Sequence, residues 1–275
     1  MNEYKFSVLM SVYAKEQPEF LATALKSNLE DQTLLPDEMI LVCDGPLTEA
    51  LDAVILQFEA NYPDVLRVFR LSENGGLGKA LNYGLEQCRY EWVARSDSDD
   101  VCDNHRFEKQ MRYLREHPEV DILGSYIDEF KTNWQEPFRQ KQMPLNHEAL
   151  VQMAKSRNPI NHMSVVFRKS VILTAGSYQH LPLMEDYYLW VRAICNGATL
   201  ANIDQYLVHA RVGNGMVHRR GERVQISSRK VLDQYMLSQG MLGKVKAVKN
   251  MIYITGFTCC PNWVRTFVYD KLLRR

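Results

Sequence analysis

One stretch of the chain runs from an apolar strand directly into a cluster of carboxylates: Glu91-Trp-Val-Ala-Arg-Ser-Asp-Ser-Asp-Asp-Val-Cys-Asp103. Its last seven residues contain four aspartates, at Asp97, Asp99, Asp100 and Asp103. Because like charges repel, the cluster predicts a hard divalent cation that is held by carboxylate oxygens and binds phosphates on its open positions. The alternative is a solvated acidic turn before a helix that begins near Asn104, since carboxylates near a helix N-terminus interact favourably with the helix dipole.

Strands and helices alternate through the first hundred or so residues. Four apolar runs predict strands, and most of these are buried on both faces: 6–13, 38–44, 66–71 and 92–96. Helices are expected between them, from Pro18, over 48–60 with Thr48 as the N-cap, and from a glycine-rich turn to about Cys88. This order predicts a doubly wound, mostly parallel α/β sheet that binds its ligands at the C-terminal ends of the strands.

Polar groups follow the predicted strands at the point where each one ends. They are Tyr13, Asp44, the turn 74–79 and the aspartates at 97–100. Since the C-terminal ends of parallel strands share one edge of a sheet, we expect these four groups to lie close together. Asp44 in this setting favours a hydrogen bond to a ribose hydroxyl or a base N–H, although Asp-Gly is also a common turn at strand ends.

The glycine-rich turn lies in Ser72-Glu-Asn-Gly-Gly-Leu-Gly-Lys-Ala-Leu-Asn82. It is not the dinucleotide fingerprint, which needs G-x-G-x-x-G after the first strand of the unit. Two interpretations remain. In the first, its backbone N–H groups and Lys79, near a helix N-terminus, bind a phosphate. In the second, the turn simply requires small residues.

The second part of the chain predicts further strands and helices. Strands are expected at 120–130, 162–168 and 198–208. Helices are expected from Asn104 to before Pro118, at 148–155, 185–195 and 222–237, and as two stretches of 241–275 separated near Pro261. In the helix 185–195, Asp186 lies on the buried stripe of the first turn, which suits a general base in a cleft. Compensation of the helix dipole by Glu185 and Asp186 is the alternative.

The charge of the chain is divided between its two ends. The net charge of the 275 residues is zero, but residues 211–275 contain 13 Lys and Arg against 3 Asp and Glu. An acidic body with a basic end predicts an anionic contact such as a membrane surface, a phosphate or a partner. Four arginines, Arg211, Arg219, Arg220 and Arg223, either close over a diphosphate or form a solvated basic face.

The cysteines and the hydropathy pattern indicate a cytoplasmic protein. The six cysteines contain no CxxC pair, so reduced thiols are expected, and the start of the chain runs into a strand without a secretory leader. The apolar run 251–264 is too short to span a bilayer. His162, His209 and His218 are candidate ligands of a metal or a phosphate, but a lone histidine is more often structural.

In combination, these motifs resemble glycosyltransferase family 2. The resemblance covers about residues 5–215 and rests on Ser7–Tyr13, Asp44-Gly45, Asn74–Asn82, Ala94–Asp100 and Glu185-Asp186. It implies an inverting enzyme with a nucleotide-sugar-binding fold of the GT-A type. The later Arg211–Met216 and Arg219–Gly221 are similar to the branch that builds bacterial exopolysaccharides such as amylovoran and colanic acid.

The resemblance also implies roles for individual residues. Nucleotide-sugar binding falls to Tyr13, Asp44, Asn74, Gly75, Lys79, Asp97, Ser98 and Asp100. The metal, Mn²⁺ or Mg²⁺, is expected on Asp99 and Asp97, with His209 or His218 as a further ligand. Asp186 is expected to be the catalytic base, with Glu185 beside it toward the acceptor. The Q-x-x-R-W motif of processive members is absent, which favours the addition of a single sugar.

These expectations define a domain plan and a function. Residues 1–215 form the catalytic domain, with a nucleotide-binding half at 1–103 and an acceptor half at 104–215, and residues 216–275 form the basic helical C-terminal extension. The donor is a nucleoside-diphosphate sugar, with UDP as the expected nucleotide, and the acceptor is a glycan or a lipid-diphosphate-linked glycan. No nucleic acid is expected as a partner. The extension either lies on the inner face of the cytoplasmic membrane or packs on its own domain or a dimer partner.

Two other classes of protein are compatible with parts of the pattern. A nucleotidyltransferase acting on sugar phosphates also uses a metal and a nucleoside phosphate. It would require a glycine-rich, basic loop directly after the first strand, and Tyr13-Ala-Lys-Glu16 is not such a loop. The other class is a non-catalytic protein that binds nucleotides or carbohydrates.

Overall fold

A computed structural model describes residues 5–213 and 224–260. The strands are β1 (Phe6–Val12), β2 (Glu38–Cys43), β3 (Leu66–Arg70), β4 (Trp92–Asp97), β5 (Val101–Cys102), β6 (Ile122–Phe130), β7 (Arg139–Lys141), β8 (Val166–Arg168) and β9 (Leu200–Arg211). The helices are α1 (Pro18–Leu29), α2 (Glu49–Asn61), α3 (Leu77–Gln87), α4 (Arg106–Glu116), α5 (His147–Ala154), α6 (Lys169–Thr174), α7 (Glu185–Cys195), α8 (Val224–Ser238) and α9 (Lys244–Cys259).

The described strands form one sheet in the order β3-β2-β1-β4-β8-β6-β9-β5, and β7 pairs with β6. The first four strands are all parallel, so the loops after them meet at one edge, as expected. In the second half, β6 and β9 are parallel over nine residue pairs, whereas β8, β5 and β7 pair antiparallel with their neighbours. The prediction of a mostly parallel central sheet flanked by helices is therefore confirmed.

Both faces of the sheet are covered, which explains why the first strands are continuously apolar. Alternate residues of β1 point to opposite layers: Val8 and Met10 pack against α1, α2 and α4, while Leu9 packs against α3 and α7. At the helix starts, Pro18 occupies the first turn of α1 and the Thr48 side chain accepts a hydrogen bond from Leu51 N. Both start signals were read correctly from the sequence.

The two C-terminal helices pack on the preceding part of the chain. Leu232 and Met236 of α8 are fully buried against a cluster that includes Val191 of α7. The buried Arg229 donates hydrogen bonds to the carbonyl oxygens of Lys155 and Ser156 at 3.2 and 2.8 Å. For residues 224–260, packing on the chain's own domain is therefore observed, while residues 261–275 lie outside the described part.

Short elements account for the differences from the predicted strands and helices. The strand expected at 162–168 is a 3-10 turn, His162–Ser164, followed by the three-residue strand β8. The elements β5, β7 and α6 were not predicted, because two, three and six residues are too few to show a periodic pattern. Across 5–213 and 224–260, every helix is too short or too polar to span a bilayer.

Helix α3 approaches the sheet closely at Gly84, and this contact predicts a stability effect. A Cβ atom at Gly84 would lie 2.8 Å from Val42 Cγ2 and would also overlap the fully buried Leu9 side chain. We expect Gly84→Ala to lower the free energy of unfolding by about 1–3 kcal/mol through overpacking. Chemical denaturation measures this change.

The matched control is Gly256→Ala in α9, where a Cβ atom meets nothing within 4 Å in the part of the chain that the structure describes. Because alanine favours helix formation over glycine, that change is expected to stabilise the protein by up to about 1 kcal/mol. Equal unfolding midpoints for Gly84→Ala and the unchanged protein would contradict the close packing of α3.

Candidate active site

The aspartates that follow β4 converge as the sequence predicts. One carboxylate oxygen from each of Asp97, Asp99 and Asp100 lies within 4.8 Å of the other two. These aspartates lie in the acidic loop, residues 97–100, and Arg211, the last residue of β9, holds this loop in place. The Arg211 backbone N–H donates to Asp100 Oδ1 at 2.7 Å, and its Nε donates to the Asp99 carbonyl oxygen at 3.1 Å. The Arg211 guanidinium also lies 3.6 Å from the centroid of the Phe20 ring. Arg211 therefore stabilises the acidic loop. The sequence had suggested that Arg211 closes over a diphosphate or belongs to a solvated basic face, and neither interpretation includes this contact.

Negative charge is concentrated at this loop. Burial, together with the charges of Asp97 and Glu16, raises the pKa of Asp99 to about 7. Burial and the charges of Asp97 and Asp99 raise the pKa of Asp100 well above its ordinary value. Asp100 Oδ2 is buried and has no hydrogen-bond partner within the described chain. Three clustered carboxylates, one with an unpaired buried oxygen, are a donor set that fits a hard divalent cation.

Asp44 and the glycine-rich turn form a single unit. Asp44 Oδ1 accepts a hydrogen bond from Gly75 N at 2.7 Å, and Oδ2 accepts from Gly76 N and Asn74 Nδ2, both at 3.0 Å. Gly76 has φ of 87°, a left-handed conformation that favours glycine, and it precedes the first residue of α3. Asp44 thus shapes the turn, and its contact with a ribose or base stays a prediction.

The remaining predicted nucleotide-binding residues are Tyr13, Lys79 and Ser98. Tyr13 follows β1 and is 43% exposed, so its ring is available to a ligand. Lys79 is exposed in the first turn of α3. Ser98 is buried, and its hydroxyl donates to Glu16 Oε2 at 2.9 Å. Glu16 was missed in the sequence because nothing in its own loop marks it as a neighbour of the aspartates.

Asp186 lies in the first turn of α7 with both carboxylate oxygens oriented by hydrogen bonds. Asn158 Nδ2 donates to Oδ2 at 2.6 Å, and Tyr187 N donates to Oδ1 at 2.7 Å. Burial raises the pKa of Asp186, and these two bonds and the charges of Arg95 and Lys141 oppose that shift. Burial also raises the pKa of the neighbouring Glu185. An oriented carboxylate in this position is suited to accepting a proton.

Arg95 and Tyr178 connect Asp186 with the acidic loop. The fully buried Arg95 is ion-paired with Asp97, and its charge also lowers the pKa of Asp186 and Asp99 against the effect of burial. Burial raises the pKa of Tyr178, opposed by Arg95 and reinforced by Asp186 and Asp97. The charges of the base candidate and of Asp97 therefore both influence Tyr178, and the charge of Arg95 influences both carboxylates.

Sequence reasoning missed Arg95, Asn158 and Tyr178. A signal existed for Arg95, since it is the one charged residue of an otherwise apolar segment of β4 before Asp97. Arg95 Nε and Nη1 have no hydrogen-bond partner among the described residues. Asn158 and Tyr178 carry no local signal, because tertiary packing alone brings them to the site.

The histidines occupy different surroundings. His209 Nδ1 bonds Asp128 Oδ1 at 2.8 Å, and its ring lies 5.0 Å from that of Trp134. Within the described chain, the group of candidate metal ligands at the acidic loop does not include His209. His162 is half-buried with Nε2 bonded to Tyr178 Oη at 2.8 Å, and desolvation lowers its pKa. His218, Arg219, Arg220 and Arg223 fall outside the described residues.

Similar proteins were found by family, by sequence and by structure. The family described as Glycosyl transferase family 2 matches residues 7–173. The amylovoran biosynthesis glycosyltransferase AmsE of Erwinia amylovora is 42% identical over 97% of this chain and 98% of its own length. An Escherichia coli protein named UDP-Gal:alpha-D-GlcNAc-diphosphoundecaprenol beta-1,3-galactosyltransferase is 35% identical over 98% of this chain and 97% of its own length.

The fold also has a counterpart among solved structures. Residues 1–349 of S. aureus TarS, in complex with UDP-GlcNAc, match with a TM-score of 0.66 and 19% identity. The match covers 98% of this chain and 76% of that chain. It confirms the fold expected for the sheet and its flanking helices.

Proposed function

This chain belongs to glycosyl transferase family 2 and is a glycosyltransferase, and from that premise we propose that it is an inverting enzyme using a UDP-sugar. One sugar would pass to a hydroxyl of a lipid-diphosphate-linked glycan during the synthesis of a cell-surface polysaccharide. One observation carries the proposal: the charges of Asp97 in the acidic loop and of the oriented Asp186 carboxylate both interact with Arg95 and Tyr178. A transferase requires both parts, one for the leaving diphosphate and one for the attacking hydroxyl.

The donor would bind along the C-terminal edge of the first four strands. Tyr13 and Asp44 would contact the base and ribose, and the turn at Asn74 and Gly75, with Lys79, would lie beside the nucleotide. Asp97, Ser98 and Asp100 would complete the site next to the diphosphate. Arg95 supports this arrangement, since two nitrogens of its buried guanidinium have no hydrogen-bond partner among the described residues, and a third pairs with Asp97 of the acidic loop.

Asp99 and Asp97 would hold Mn²⁺ or Mg²⁺, with Asp100 in support. Bound there, the ion neutralises charge that develops on the departing diphosphate. Their clustered oxygens and the raised pKa of Asp99 support this assignment, because burial and neighbouring negative charge destabilise the ionised form without a cation. His209 stays a candidate through its Nε2, and His218 lies outside the described residues.

Asp186 would act as the base in a direct displacement. The acceptor oxygen forms a bond to the anomeric carbon as the bond from that carbon to the diphosphate oxygen breaks. The hydroxyl proton passes to Asp186, and the nucleoside diphosphate departs. Hydrogen bonds from Asn158 Nδ2 and Tyr187 N fix the orientation of the Asp186 carboxylate. Glu185 would lie beside it toward the acceptor.

The acceptor class follows from the relatives. One is named for amylovoran biosynthesis and another for a diphosphoundecaprenol-linked acceptor. The basic C-terminal extension supports a cytoplasmic enzyme that attaches to the inner face of the membrane, where such an acceptor is located.

Thermal unfolding with nucleotides tests the donor assignment. At about 100 times its dissociation constant, UDP with Mn²⁺ is expected to stabilise the protein by about 2.7 kcal/mol, or roughly 5–10 °C. UDP alone, Mn²⁺ alone and GDP with Mn²⁺ are the controls, and each is expected to give a smaller shift. An absence of stabilisation by every nucleoside diphosphate in the presence of metal would overturn the proposal.

A further inference from the structure

A cavity of about 370 Å³ lies between the acceptor half of the domain and helix α9. Asp186 and Asn158 are among its lining residues, so the cavity opens beside the candidate base. Its volume lies within the range of small-molecule sites. The pocket therefore lies next to the candidate base and is lined in part by the C-terminal extension.

The wall of the cavity that α9 supplies is largely apolar. Tyr253, Ile254 and Phe257 line it, and the rings of Tyr253 and Phe257 are stacked with centroids 6.2 Å apart. Asn250 anchors this helix by donating to the Lys155 carbonyl at 2.9 Å. An aromatic and aliphatic wall on an anchored helix suits a hydrocarbon group.

Two cationic side chains line the same cavity. Lys141 comes from β7, and its charge is among those that oppose the effect of burial on the pKa of Asp186. Arg157 follows α5, and its charge likewise opposes the burial that raises the pKa of Tyr253. Positive charge therefore lies near the candidate base and near the apolar wall, which suits an anionic group joined to a hydrocarbon.

The same helix exposes a second apolar surface to solvent. Val245, Val248 and Ile252 are 73%, 58% and 68% exposed and are spaced to form one stripe. Lys244, Lys246 and Lys249 lie along this helix. An exposed apolar stripe among lysines is typical of a helix at a membrane interface, so the cavity wall and a membrane-facing surface share one helix.

We infer that this cavity binds the diphosphate and the adjoining hydrocarbon of a lipid-linked acceptor, with Arg157 and Lys141 on the diphosphate and α9 against the hydrocarbon. The inference rests on the proposed function, since it assigns a place to the acceptor of that reaction. It makes the C-terminal extension part of the substrate site.

Binding of farnesyl diphosphate to the full-length protein tests this assignment, with inorganic diphosphate and farnesol as probes that each lack one half. We expect farnesyl diphosphate to bind at least about tenfold more tightly than either probe, because both the charged and the apolar contacts contribute. UDP should not compete with it. Competition by UDP, or equal affinity for inorganic diphosphate, would place the ligand in the donor site and overturn the inference.

Substitutions on two faces of α9 locate the binding surface. Tyr253→Ser and Ile254→Asp on the cavity wall, and Arg157→Gln, are each expected to weaken farnesyl diphosphate binding about tenfold. Ile252→Asp on the exposed stripe is the matched control, and it should leave that binding unchanged while reducing attachment to anionic vesicles. Equal effects of Ile252→Asp and Ile254→Asp on farnesyl diphosphate would overturn the inference.

Two measurements keep the outcome decisive. Tyr253 is 51% exposed, so Tyr253→Ser tests the wall even where the charged Ile254→Asp disturbs folding. Stabilisation by UDP with Mn²⁺ should be the same in all four variants and the unchanged protein. Weaker farnesyl diphosphate binding with intact UDP binding in Tyr253→Ser, Ile254→Asp and Arg157→Gln supports the inference. If the unchanged protein binds UDP but not farnesyl diphosphate, the inference is overturned and the donor assignment stands.

Discussion

Asp186→Asn is expected to lower the rate of sugar transfer by about 10²–10⁴-fold, the usual contribution of a positioned general base. Asparagine has nearly the same shape but cannot accept the proton of the attacking hydroxyl. It also has one acceptor oxygen where aspartate has two, so it cannot accept from both Asn158 Nδ2 and Tyr187 N as the native side chain does. Release of UDP in the presence of acceptor measures the rate.

The control for this change is Asp103→Asn, another aspartate that accepts a backbone hydrogen bond near the start of a helix. Asp103 Oδ1 accepts from His105 N at 3.0 Å, before α4 begins. This variant is expected to retain the native transfer rate. Asp186→Asn should still be stabilised by UDP with Mn²⁺, because the proposed partner of Asp186 is the acceptor hydroxyl and not the nucleotide. A native transfer rate in Asp186→Asn would show that the base is a different group.

Asp99→Asn is expected to remove the metal-dependent part of donor binding and, without metal, to make the protein more stable. The folded-state pKa of Asp99 is raised from 3.8 to about 7, so this carboxyl costs stability as the pH rises from 3.8 through 7. Removing the charge therefore relieves a repulsion that is fully present above pH 7. The gain is expected to be about 1–2 kcal/mol at pH 8 and smaller at pH 6.

Denaturant unfolding at pH 6 and pH 8, in chelator and in Mn²⁺, measures both effects of Asp99→Asn. In chelator the variant should exceed the native protein in stability, and in Mn²⁺ with UDP the order should reverse. If the native protein is more stable than the variant in chelator at pH 8, then Asp99 makes a stabilising contact of its own and the cluster does not depend on a cation.

Sequence predictions were most accurate for features that depend on interactions between residues close together in the sequence. Helix α7 begins and ends at Glu185 and Cys195 as expected, because its apolar periodicity and its acidic first turn are local signals. The contact between Asp44 and Asn74 was expected from strand order alone, since the parallel strands β2 and β3 share an edge. In such cases the order of the strands predicts which loops are neighbours, even where the sequence contains no signal for an individual contact.

The orientation of side chains required packing that no local pattern records. Asp44 was predicted to contact a ribose or a base, and nothing in the sequence indicated that its carboxylate also accepts hydrogen bonds from the backbone of the glycine turn. Arg211 was considered for a diphosphate, and it braces the acidic loop from the far end of β9, more than 100 residues away in sequence. The Arg211 contact depends on the pairing of β6 with β9 and of β9 with β5, which is long-range and includes a two-residue strand.

The buried Arg229 has a genetic consequence. From α8 it satisfies two carbonyl groups of the loop after α5, contacts the Tyr187 hydroxyl and pairs with Asp233. A stop codon after residue 213 would leave those polar groups and the apolar surface of α7 without their cover. Such an allele should behave as a loss of folding, with little protein accumulating, and it should not be interpreted as a defect in membrane attachment.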